Sequence, residues 1–415
     1  MDINVIRLRT VLDNREQEII KENNQFLDEI NTELMEEDIV LKENAKDAVA
    51  NIFFIETGGS EPQFVKLFEN LDKKEPILLL SNCKNNSLPA TLEIKTYISN
   101  HLCSPIVFTS LEGANIARHL KAFFHIYLAK KSIDNDNLGI IGEPSPWLIS
   151  SVLDPEVVKE KCNINLIKIG MDELIKEINK KKMGKVSHLQ ELKAKWENEE
   201  VLIEALYFYG ALKRLVDKYH LKGLTIRCFD LLTKYHNTAC LALALLNEEG
   251  ITAGCEGDTA SLLTMHMLNA LTSRPSFMAN PSYIKGEKGE VLFAHCTVPL
   301  NMTNDYQLLT HFESNEGIGV RGIMPLGEVS ICKIAISKRG FFDNTLSING
   351  TIKENMTLQG YCRTQILVEL NEGDMINFFK TDFANHVIIT YGNVSEDFLG
   401  LLSLYQMRFD EREDD

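Results

Sequence analysis

Short segments that are apolar along their whole length alternate with amphipathic ones through the first two thirds of this chain. That rhythm constrains the fold more than any other feature. "NIFFIETGGSE" (51–61) reads as a strand, a Gly-Gly turn and a helix opening with Ser60, Glu61 and Pro62. "PILLLSNCKNNSLPATLEIKTYI" repeats the pattern, with the helix entered near Pro89, and "SPIVFTSLEGANIARHLKAFFHIYLAKK" repeats it again. Strands without polar alternation are buried on both faces, so a parallel sheet covered by helices is expected. After a polar linker, Ser132 to Asn137, a second series begins, with strands near 138–141, 164–168, 224–229 and 251–255 and a long helical pair across 188–219. Beyond about residue 290 the texture changes. "EVSICKIAIS", "RTQILVEL" and "HVIITYG" alternate or run apolar between Gly, Asn and Asp turns, which predicts an antiparallel barrel or sandwich.

The expected architecture is α/β: two Rossmann-like domains with parallel sheets, then a β-barrel-like domain. The boundaries are set at 1–137, 138–280 and 281–415. Residues 9–50, dense in Glu, Asp, Lys and Asn with apolar residues at helical spacing, read as a solvated helical lead-in. The tail "DEREDD" reads as a disordered acidic end.

Lys and Arg number 43 against 59 Asp and Glu, a net charge of −16. Nucleic acid is excluded as the main partner, because a phosphate backbone demands a basic stripe that the sequence lacks. No apolar run reaches the roughly 18 residues of a membrane span, and no signal-peptide core precedes the first strand, so a cytoplasmic location is expected. The nine cysteines form no CxxC pair and read as reduced thiols serving as small core residues. Neither α/β series carries GxGxxG or a Walker loop, and Gly58-Gly59 reads as a tight turn.

The chemistry is expected at "ITAGCEGD" (251–258), where a buried strand ends in two carboxylates. Ligands in open α/β sheets sit at this carboxyl edge. Asp258 suits a helix N-cap, its oxygen accepting amide protons of the first turn. Glu256 is no cap, and a lone carboxylate after a buried strand is costly without a partner. Further on, Asn280, His295, Asn385 and His386 stand at strand ends. Glu, Asn and His are oxygen and nitrogen donors suited to Mn²⁺ or Mg²⁺.

The chain resembles the L-fucose isomerase/L-arabinose isomerase superfamily, whose members interconvert aldoses and ketoses with a divalent metal, usually manganese. The resemblance runs through "ETGGSE", "NSLPATLEI", "LGIIGEPSPWLISS", "NTACLALALLNEEGITAGCEGD", "FMANPSYI", "LFAHCTVPLNM", "HFESNEGIGVRG" and "ANHVIITYG". It implies a metal held by Glu256, Asn280 and His386, with Mn²⁺ the expected ion. The family has an aspartate where this chain has Asn280, which can ligate but cannot act as a base. Asp258 and His295 are therefore the candidates for the second base beside Glu256, His295 because its ordinary pKa lies near neutrality. Contacts to the sugar are expected from Asn385, Arg227 and Trp147, and an anionic sugar would call on Arg227, Arg339 or Arg363. The implied reaction is aldose–ketose isomerisation of a free sugar through an enediol, of fucose or arabinose type or on a 6-deoxy- or 6-sulfo-hexose. Two alternatives remain open: a non-catalytic sugar-binding or regulatory homologue, or an epimerase or lyase sharing the enediolate. The resemblance also implies a homo-oligomer, trimer or hexamer, with the "TGGSE" and "SNCKNNS" loops closing a neighbour's site.

Overall fold

A computed structural model describes residues 1–10, 15–71, 75–102, 105–286, 289–335, 342 and 344–406. Arg339 and the acidic tail lie outside the described residues. The chain divides into two compact units, Met1–Leu128 with the residues from Ser403 on, and Ala129–Leu402.

The first unit is a parallel sheet. Its strands are β1 (Asp2–Leu8), β2 (Val40–Glu43), β3 (Ala50–Ile55), β4 (Leu78–Ser81) and β5 (Ile106–Thr109), in spatial order β2-β1-β3-β4-β5. Alternation sorts the side chains to two cores. Ile52 and Phe54 of β3 join Phe26, Leu27 and Ile30 on one face, while Phe53 and Ile55 join Phe64, Phe68 and Ile94 on the other. The helices α1 (Glu16–Leu34), α2 (Glu61–Phe68) and α3 (Ser87–His101) connect strands of this sheet, and α4 (Gly113–Ile133) follows β5.

Here the lead-in expectation is corrected. Residues 16–34 form a helix, but Phe26, Leu27, Ile30 and Leu34 are buried against the first unit's own sheet. The chain before and after this helix supplies β1 and β2. β1 is interrupted by Asn4 and Arg7, so it lacks the apolar signature of its neighbours.

The second unit begins with another parallel sheet: β6 (Asn137–Ile141), β7 (Asn165–Ile169), β8 (Leu221–Ile226) and β9 (Thr252–Cys255), in order β7-β6-β8-β9. Seven helices accompany it: α5 (Pro155–Cys162), α6 (Met171–Ile178), α7 (Leu189–Lys195), α8 (Glu199–Tyr219), α9 (Phe229–Tyr235), α10 (Cys240–Glu248) and α11 (Thr259–Thr272). The chain then enters an antiparallel barrel.

The barrel strands are β10 (Phe277–Lys285), β11 (Glu290–His295), β14 (Gly327–Lys333), β15 (Leu346–Asn355), β16 (Thr364–Glu369) and β17 (Val387–Tyr391). They close in the order β10-β11-β16-β15-β14-β17, β17 returning to β10. β12 (Asp305–Leu309) and β13 (Gly319–Ile323) form a separate antiparallel pair, and α12 (Glu372–Lys380) and α13 (Ser395–Gln406) complete the described elements. The fold is thus α/β with two parallel sheets and a closed antiparallel barrel, as the strand patterns predict. The eight described cysteines are free thiols. Among the described residues, no helix is long and apolar enough to cross a membrane.

Candidate functional site

All four residues of β9 are buried, and the strand ends at a turn in which Glu256 (φ 64°) and Gly257 (φ 76°) both adopt left-handed backbone. Such a conformation at a non-glycine residue is uncommon and clusters at functional sites. The turn is braced by the loop after β6. Ser145 donates its amide to the Glu256 carbonyl at 2.9 Å, and Trp147 Nε1 donates to Glu256 Oε2 at 2.6 Å. A Cβ on Gly257 would stand 2.7 Å from Pro144 Cα. Gly257→Ala is therefore expected to displace this loop and to add about 1–2 kcal/mol of backbone strain. Urea denaturation would record the loss, and tryptophan emission the displacement of Trp147.

Asp258 is fully buried and caps α11, with Oδ1 accepting the Ser261 amide at 2.7 Å. Its other oxygen accepts from Ser261 Oγ at 2.8 Å, Lys333 Nζ at 2.9 Å and His386 Nδ1 at 2.9 Å. Burial alone would raise its pKa. The Lys333 ammonium and then His386 outweigh that and hold the carboxyl well below the usual carboxylate range. The expected cap is thus present, and the same carboxylate neutralises a buried lysine and orients a histidine.

Orientation of His386 by Asp258 fixes which ring nitrogen faces the site. With Nδ1 given to the carboxylate, the buried Nε2 has no hydrogen-bond partner and lies 3.6 Å from Glu256 Oε1, beyond hydrogen-bond reach. The His295 ring is 5.6 Å from the His386 ring, and its Nδ1 pairs with Thr297 Oγ1 at 2.9 Å. Glu256, His295 and His386 each offer one ligand atom, all within 4.8 Å of one another. Burial, followed by the charge of His386, drives the His295 pKa down to about 3, so its imidazole is neutral and its lone pair available. Burial opposes ionisation of Glu256, but the neighbouring His386 and the Trp147 hydrogen bond outweigh it and the carboxyl stays below its ordinary range.

Asn280 sits on β10 opposite Ala294, one residue from His295, and its neighbour Ala279 pairs with Val387, one residue from His386. Its Oδ1 is buried without a hydrogen-bond partner. An orphaned imidazole nitrogen beside a carboxylate, with an orphaned amide oxygen on a strand registered near both histidines, supplies donor types suited to a divalent cation. A carboxylate behind a ligating histidine is the arrangement that orients such ligands.

The remaining expected contacts are spread further. Trp147 is half exposed and packs edge-on against Phe229, their ring centroids 5.0 Å apart. Phe229 in turn meets the ring of His311 at 6.0 Å. Asn385 is partly buried directly before His386. Arg227 is ion-paired with Asp230 at 2.8 Å and lines a cavity of about 690 Å³ at the carboxyl ends of β6 and β7. Arg363 bonds the Thr310 carbonyl through Nε at 2.5 Å.

Sequence reasoning missed Lys333 and His311. Lys333 had a signal, a lone lysine in the apolar run "EVSICKIAIS", since a charge buried there demands a partner. His311 had none beyond its residue type.

No family model matches the chain. Among characterised proteins it is similar to the sulfoquinovose isomerases of Priestia aryabhattai and Priestia megaterium. Each is 22% identical over 360 residues, covering 81% of this chain and 79% of the relative. A sulfoquinovose isomerase from Alkalicoccus urumqiensis is 21% identical over 197 residues, 46% of this chain and 44% of its own.

Proposed function

We propose that this chain is a divalent-metal-dependent aldose–ketose isomerase acting on a sulfonated hexose. The observation that carries the reading is the buried group of Glu256, His295 and His386 at the tip of β9. The likeness to sulfoquinovose isomerases across four fifths of the chain supplies the substrate class. The three side chains would hold the ion, with the Asn280 carbonyl beside them, and Mn²⁺ suits a mixed carboxylate and imidazole set. When bound, the ion supplies Lewis-acid polarisation of the sugar oxygens at C1 and C2.

The chain's own residues do the rest. Isomerisation removes the proton from C2 to give an enediol and returns a proton to C1, with a proton passing between the two oxygens. No oxidant or co-reactant is consumed. Of the two acids at the turn, Asp258 is enclosed and committed to Ser261, Lys333 and His386, whereas Glu256 retains some exposure. Glu256 is therefore assigned the carbon-bound proton as well as a ligand's place. Asp258 keeps His386 Nε2 directed inward, and Trp147 holds Glu256 Oε2 so that the carboxylate keeps one orientation.

The test is turnover of a sugar panel, sulfoquinovose included, by Mn²⁺-loaded protein with ketose detected by NMR. Ketose formation that stops on chelation and returns with Mn²⁺ is expected. Absence of turnover with metal demonstrably bound would overturn the reading. A second reading, a non-catalytic sugar-binding homologue, is favoured by the neutral Asn280 where an acid is expected; protein purified without stoichiometric metal and indifferent to chelator in thermal unfolding would establish it. A trimeric or hexameric assembly and a cytoplasmic location belong to the leading reading, and solution mass measurement checks the first.

A further inference from the structure

Arginines in a protein of net charge −16 are expected to find carboxylates, and two described ones of the second unit do: Arg214 pairs with Glu177 and Arg227 with Asp230. Arg321 and Arg363 do not. Among the described residues neither is ion-paired. Both line one cavity of about 400 Å³ together with Asn315, Gln359, Tyr361 and Gln365.

No acidic residue lines that cavity. The cavity beside Arg227 carries Glu143, Asp154 and Asp230 against Lys168 and Arg227, and another at the barrel carries Glu328 and Glu369 with no base. The sign of charge therefore separates the three. Only the Arg321–Arg363 cavity is lined by net positive charge.

The guanidinium donors are only partly used. Arg363 spends Nε on the Thr310 carbonyl and one Nη2 proton on Thr310 Oγ1, and Arg321 spends one Nη1 proton on Gln307 Oε1. A guanidinium carries five N–H donors in a planar fork, so most remain for a ligand. Two forks of this kind match the oxygens of a tetrahedral oxyanion.

The cavity is tied to the proposed metal group. Thr364, the first residue of β16, is registered opposite His295, and antiparallel partners stand about 4.5–5.5 Å apart at Cα. Arg363 is the next residue out. The loop it grips at Thr310 leads to His311, whose ring meets Phe229, and Phe229 carries Trp147 against Glu256.

We propose that Arg321 and Arg363 form the subsite for the sulfonate of the sugar, holding the charged end while the carbonyl end lies at Glu256, His295 and His386. This rests on the isomerase reading for the position of the carbonyl end. Free sulfate or phosphate offers the same oxyanion chemistry, so the test must tell them apart.

The experiment measures calorimetric binding of 6-deoxy-6-sulfoglucitol, glucitol and inorganic sulfate to the full-length, Mn²⁺-loaded chain. It compares the unmodified protein with Arg321→Gln, Arg363→Gln and the double variant. Kinetics on the sulfonated aldose run in parallel. The sulfonated alditol is expected to bind at least tenfold more tightly than glucitol, and the double variant to abolish that preference without altering metal content. Arg321→Gln, which leaves the Thr310 loop anchored, is expected to raise KM for the sulfonated aldose with kcat little changed. An unaltered preference in the double variant would overturn the proposal, as would sulfate binding as tightly as the sulfonated alditol. Sulfonate preference without any turnover would defeat the isomerase reading and support the subsite. Turnover indifferent to both substitutions would defeat the subsite alone.

Discussion

Asp258→Ala is expected to destabilise the metal-free protein by about 4 kcal/mol, a large share of the roughly 5–15 kcal/mol that holds a typical domain folded. Removing a helix cap costs about 1 kcal/mol, and breaking one side of a buried ion pair about 3–5 kcal/mol. The two do not add, because one carboxylate performs both tasks. The large term comes from what remains, a Lys333 ammonium enclosed between α11 and β14 with only Ser261 beside it. Asp258→Ala combined with Lys333→Met is accordingly expected to be milder than Asp258→Ala alone, since no stranded charge is left. Urea unfolding of the single and double variants in chelator checks both statements. A loss below about 1 kcal/mol for Asp258→Ala would refute this account of the cluster.

Glu256→Gln tests the chemistry with little expected effect on the fold. The substitution keeps size and the ability to accept from Trp147, but removes the negative charge and the proton-accepting oxygen. Turnover is expected to fall by about 10²–10⁴-fold, the usual worth of a positioned general base. Metal content after dialysis should fall with it, because the two imidazoles then lack a carboxylate beside them. Element analysis and initial rates measure the two effects, while denaturation in chelator should show near-native stability. Retention of both metal and rate would remove Glu256 from the centre of the proposal.

How much of this was legible in the sequence differs by element. "NIFFI" and "PILLLS" announced buried parallel strands because a strand covered on both faces has no polar alternation to dilute its signal. β1 escaped notice, since Asn4 and Arg7 interrupt it and its partners come from both sides of a helix that looked solvated. At the site, Glu256, His295 and His386 all stood out as donors at strand ends, His295 as a candidate base. That the His295 ring lies beside that of His386 does not follow from spacing, because barrel closure brings the end of β11 near the start of β17. Arg227 and Arg363 looked alike in sequence. The structure separates them by whether a carboxylate is near, which depends on neighbours far along the chain.

The bond between Asp258 and His386 joins residues 128 apart in sequence. At synthesis rates of about 5–20 residues per second, roughly 6–26 s pass between the emergence of one and the other. Through that interval α11 has its cap but His386 has not yet arrived. A nascent chain therefore carries Glu256 without His386 and lacks one of the three donors of the proposed cation site. On the proposed reading, loading waits until the chain beyond His386 has left the ribosome. Under the proposed metal-dependent reading, acquisition of the ion is a late event, timed by the order in which the barrel is made.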